Sequence, residues 1–77
     1  MEKNEFCTKL REYPKSSEFM LEWDRGNGSL ERVVVFWGFK KTTPRLYFKQ
    51  GFKEGRNLVD IKRIGGYESI ISLTPIM

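Results

Sequence analysis

The sequence predicts an α+β fold, with an N-terminal amphipathic helix packed on a mainly antiparallel sheet of about five strands. Three observations carry this expectation. Apolar residues recur at helical spacing up to Pro14, the period changes to two from Glu18 onward, and Gly- and Pro-bearing turns punctuate the rest of the chain. At 77 residues the chain reads as one domain spanning 1–77. A domain of that size buries only about 60% of the surface its unfolded form exposes, so a single modest core is expected.

Phe6, Leu10 and Tyr13 stand at i, i+4 and i+7, one stripe of a helix. Asn4 is placed to cap it by accepting a backbone N–H bond, and Glu5 with Lys9 makes a favourable i, i+4 pair. Pro14 ends it, because the residue before proline is pushed out of the helical region. "PKSS" is then a short connector.

In "EFMLEWD", Phe19, Leu21 and Trp23 share one face and Glu18, Met20, Glu22 and Asp24 the other. "RGNGS" follows, with the Asn-Gly pair of a hairpin turn. "LERVVVFWGF" is apolar on both faces, the pattern of a central strand. Parity fixes the pairing only in part: an even-sum register sets Leu21 near Val33 and Phe19 near Val35, with Glu22 beside Arg32, and leaves the exact offset open. "TTP" then turns the chain into a strand "RLYFKQ", "GFKEGR" forms a loop, and "NLVDIKRI" returns as a further strand. With Gln50 opposite Asn57, Phe48 faces Val59 and Leu46 faces Ile61 on the buried side. Arg45 then opposes Lys62, Tyr47 opposes Asp60, and Lys49 opposes Leu58 on the other side. Gly65-Gly66 breaks the chain, and "YESIISLTP" reads as a last strand in a continuing meander, with a short helix as the alternative.

Charge is distributed unevenly. Residues 1–39 hold six Lys/Arg against seven Asp/Glu, a net of −1, whereas residues 40–63 hold eight against two, a net of +6. Clustered charge of one sign creates a directed field. The single cysteine, Cys7, supports no internal disulfide framework, which suits a reducing compartment. No apolar run approaches the ~20 residues a spanning helix needs, and the first residues carry charges where a secretory leader would be apolar. A soluble, cytoplasmic protein with no membrane partner is the expectation.

Little here favours catalysis. The chain has no histidine, the commonest general base and metal ligand. Cys7, in the first turn of the helix, has no imidazole to activate it and reads as a neighbour of Phe6. One cysteine without histidine does not make a zinc site. Glu18, Glu22 and Asp24 share a strand face, but at about 6–7 Å apart neighbouring carboxylates read as a solvated acidic face, not a metal or acid–base pair. No phosphate-binding glycine motif is present, and the glycines of "RGNGS" are explained by the hairpin turn. No enzymatic activity, cofactor or metal is expected.

Two functions remain. The outward side of the basic hairpin carries Arg45, Tyr47, Lys49 and Lys62, with Lys40 and Lys41 before it, Phe52, Lys53 and Arg56 in its loop, and Arg63 after it. Like charges placed opposite each other destabilise a sheet, and a phosphate backbone laid across them relieves the repulsion. Tyr47, with Phe52 as a second ring, offers a surface on which a base stacks. These ten residues are the candidate nucleic-acid site, single-stranded DNA or RNA being favoured. Asp60 partly neutralising the ribbon, with edge lysines that keep sheets apart, is the plain alternative. The competing function is a protein-binding regulator or inhibitor. It rests on apolar residues on both faces of the first hairpin, more than one helix covers: an uncovered patch would meet a partner protein or a second copy of the chain in a homodimer, while the basic residues 40–63 would meet an acidic target.

Overall fold

The structure, a computed structural model, describes residues 1–49 and 58–76. Helix α1 (Lys3–Arg11) begins two residues earlier than the Asn4 cap implies. Its N-cap is Glu2, whose N–H donates to Glu5 Oε1 at 3.4 Å. A carboxylate three residues on is the partner a first-turn N–H needs, and Asn4 falls inside that turn. Lys9 and Arg11 occupy the last turn, where cations complement the helix dipole, and no Glu5–Lys9 ion pair forms among the described residues. Phe6 and Leu10 are buried, and Tyr13 packs edge-on against Phe19 at 5.2 Å.

Among the described residues four strands, not five, make one antiparallel sheet: β1 (Glu18–Asp24), β2 (Leu30–Lys40), β3 (Thr43–Phe48) and β4 (Ile70–Pro75), in the order β3-β2-β1-β4. The first hairpin has the expected register, with Leu21 opposite Val33, Phe19 opposite Val35 and Glu22 opposite Arg32. The last pair closes an ion pair at 2.9 Å. β2 is central, as its apolar faces imply. Pro44 lies inside β3, opposite Phe39, which an edge strand tolerates because its outer side needs no N–H donor.

The segment expected as the fifth strand takes a different course. Leu58 makes one bridge to Tyr47, and Val59 N–H donates to Leu46 O at 2.8 Å. The chain then turns over residues 61–65. Asp60 drives this. Its Oδ1 accepts the Lys62 N–H at 3.0 Å, and its carbonyl accepts the Arg63 N–H at 3.0 Å. Such local bonds compete with a sheet ladder. Gly65 and Gly66, at φ 105° and 89°, end the turn in backbone territory that other residues avoid. Tyr47 therefore faces Leu58 and not Asp60, and Arg45 is not paired with Lys62 across a ladder. The parity survives but the offset does not: Leu58 is opposite Tyr47 and not Lys49, and Val59 bonds to Leu46 in place of the expected Phe48–Val59 and Leu46–Ile61 pairs. Leu46 and Val59 are buried, and Phe48 and Ile61 pack against the core.

After a single 3-10 turn at Tyr67–Ser69, β4 crosses to pair with β1 and does not continue a meander. It places Leu73 opposite Leu21, with a bulge where the register shifts between Glu22 and Trp23. The core gathers between α1 and the inner sheet face: Phe6, Leu10, Phe19, Leu21, Val35, Trp37, Leu46, Val59, Ile70 and Leu73. The indole N–H of Trp37 donates to Pro14 O at 2.9 Å, which ties the connector after α1 to the sheet. On the outer face Met20, Val34 and Phe36 are each half-buried. Among the described residues no helix is long and apolar enough to cross a membrane.

Candidate nucleic-acid interface

Strand alternation decides what β3 offers. Pro44 and Leu46 turn inward and are buried, so Arg45 and Tyr47 project from the opposite side, with Lys49 following in the same phase. Beside β3 opens a groove of about 670 Å³. Five cations from four parts of the chain line it: Lys3 of α1, Lys40 at the end of β2, Arg45 of β3, and Lys62 with Arg63 on the 61–65 turn. Tyr67 forms part of the wall, its ring held edge-on by Phe6 at 5.1 Å. Asp60 is the one carboxylate lining it among the described residues, and it is already engaged by the Lys62 N–H.

The acidic half of the chain leaves this groove uncompensated. Three ion pairs form among the described residues: Arg25–Glu31 at 2.7 Å, Arg32–Glu22 at 2.9 Å and Lys49–Glu18 at 3.1 Å. None involves a cation of the groove. Four sequence-predicted site residues, Lys40, Arg45, Lys62 and Arg63, are therefore brought together, although by a turn and not by a two-stranded ribbon. Lys41 stands apart from them, exposed in the β2–β3 turn at φ 60°. Lys49 is held by Glu18. Phe52, Lys53 and Arg56 lie outside the described residues, as does the Gln50–Asn57 pair expected to set the hairpin register.

Tyr47 is more committed to the fold than its place between two cations implies. Its ring stacks on Phe36 with centroids 5.5 Å apart and planes 19° from parallel. It also lies over Gly38, with a ring carbon 3.4 Å from where a β-carbon would stand. One ring face is thus taken by Phe36, and Leu58 is the neighbour on the other strand side. Among the described residues, Tyr67 is the aromatic that borders the groove. Neither Tyr67 nor Lys3 carries a local sequence signal for this, because both arrive through contacts between the two ends of the chain.

Other candidate chemistry finds no support in the geometry. Among the described residues no group of three or more His, Cys, Asp or Glu side chains is placed to hold a metal ion. Glu22 is occupied by Arg32 and by the Ser72 hydroxyl, which donates to it at 2.8 Å. A second cavity of about 550 Å³ near the β1–β2 turn is lined by the Arg25–Glu31 pair and by Asp24, and Arg63 borders both it and the groove. No known protein family, curated protein or solved structure matches this chain.

The groove depends on the backbone at its base. Gly66, one of its lining residues, combines φ 89° with ψ 174°, a conformation nearly confined to glycine. Gly66→Ala is expected to destabilise the protein by about 1–3 kcal/mol. A urea midpoint equal to that of the parent protein would contradict this.

Proposed function

We propose that this chain is a small non-enzymatic nucleic-acid-binding module, with single-stranded DNA or RNA favoured over duplex. The observation that carries the proposal is the convergence of Lys3, Lys40, Arg45, Lys62 and Arg63 on one groove without an ion-pair partner among the described residues. Unpaired cations held at fixed positions attract a phosphate backbone and release its counterions on binding. An aromatic wall at Tyr67 and apolar groups at Leu58 and Ile61 give an unstacked base a surface to lie against, which a base-paired duplex cannot use in the same way.

The competing proposal is a protein-binding regulator or inhibitor, or a homodimer. It is favoured by β4, an edge strand whose residues 70–76 carry no charge and expose Ile71 and Ile76. Uncharged edges lack the lysines that discourage strand addition. One titration separates the two readings. Binding of single-stranded and duplex oligonucleotides should weaken with salt, with log K falling against log salt at a slope of about −2 to −3.5 for three to five phosphates on a single strand. A flat salt dependence, or no binding at low salt, would overturn the nucleic-acid reading and leave the protein partner.

A further inference from the structure

We infer that Lys49 belongs to the same nucleic-acid footprint and that Glu18 competes with the nucleic acid for it. The inference rests on the nucleic-acid reading above and assigns that site a self-limiting contact. Arg45 and Tyr47 alternate along β3 and Lys49 follows just past its end, its N–H still donating to Val34 O of β2 at 3.2 Å, and Arg45 already lines the groove. Lys49 is four residues further on, roughly 13 Å along the strand. A strand leaving the groove past Arg45 and Tyr47 reaches it next.

In the unliganded protein that cation is engaged. Lys49 Nζ stands 3.1 Å from Glu18 Oε2 and 3.3 Å from Oε1. Glu18 is on β1 and Lys49 follows β3, with β2 between them, so the lysine side chain spans the outer face of the central strand. The register places that crossing by Val34, whose carbonyl accepts the Lys49 N–H at 3.2 Å, and Phe36, which is opposite Glu18. It is therefore a strap beside the Phe36–Tyr47 stack.

The strap is built to be released. Its two side chains are 55% and 36% exposed, so water screens the attraction. The neighbouring pair differs: Glu22 is only 22% exposed and is held by Arg32 and Ser72 together. Glu18 has no second side-chain partner among the described residues. A phosphate approaching β3 competes with one exposed carboxylate for Lys49, and the fraction it displaces sets how much this cation adds to binding.

A double-mutant cycle tests this with a fluorescein-labelled oligothymidylate as the probe, thermal melts confirming that each variant is folded. Glu18→Gln should tighten binding by about 1.5- to 5-fold, the strength of an exposed ion pair. Lys49→Ala should weaken binding, and adding Glu18→Gln to it should then change little. Equal tightening by Glu18→Gln in both backgrounds would show that Glu18 merely repels phosphate through space, and would overturn the inference. So would an unchanged affinity in Glu18→Gln alone, with the groove reading left standing. Failure of the parent protein to bind the probe at low salt would instead remove the nucleic-acid reading and this inference together.

Discussion

Phe19→Ala is expected to cost about 3–5 kcal/mol of stability, the largest effect of any single truncation considered for this chain. The side chain is fully buried in an inner strand, between Val35 and Pro75 on the flanking strands. Its loss also removes the perpendicular contact with Tyr13 at 5.2 Å, which anchors the segment after α1. Domains of this size are stabilised by about 4–12 kcal/mol in total, so the variant loses a large share of that stability. Met20, the next residue, projects to the outer face and is only half-buried, so Met20→Ala should cost markedly less. Urea unfolding followed by the fluorescence of Trp23 and Trp37 measures both. Similar midpoints for the two variants would mean that the alternation of β1 does not divide core from surface.

That alternation was the legible part of the fold. Parity put Leu21 near Val33 with the offset open; the structure closes the hairpin by a loop in which the Arg25 N–H donates to Ser29 O at 3.0 Å, and Glu22 meeting Arg32 at 2.9 Å is the consequence on the outer face. The fifth strand was misread because "NLVDIKRI" has apolar residues at plausible spacing, while the stronger information lay in its flanks. Asp60 opens a turn by accepting the Lys62 N–H, and Gly65-Gly66 closes it at positive φ. β4 pairing with β1 had no local signature, since "IISLTP" is compatible with any partner strand. The site divides along the same line. Lys40, Arg45, Lys62 and Arg63 were visible as a charge cluster within 24 residues of sequence, and the fold needed only to bend that segment. Lys3, Tyr67 and the Glu18–Lys49 contact join residues far apart in the chain, and no periodicity or composition reports such meetings.

Reversing two groove cations, Arg45→Glu with Lys62→Glu, should abolish most nucleic-acid binding while the fold persists. The two residues come from different elements, β3 and the 61–65 turn, yet line one groove, and neither is buried. On a single strand each phosphate-neutralising cation contributes a slope of about 0.7, so at tenfold below 1 M salt losing two costs about 25-fold, and repulsion by the new carboxylates extends this to about several hundred-fold. The variant also lowers the net charge from +4 to zero, so a loss of affinity could arise from the long-range field alone. Arg11→Glu with Lys15→Glu supplies the comparison, because it makes the same change in net charge at exposed positions that do not line the groove. If the groove is the contact, the first variant should lose far more affinity than the second and its salt slope should fall by about 1.4, two cations at 0.7 each. The second variant should keep the parent slope. Equal losses in the two would place the attraction in overall charge, and the convergence of Lys3, Lys40, Arg45, Lys62 and Arg63 would then have no part in recognition.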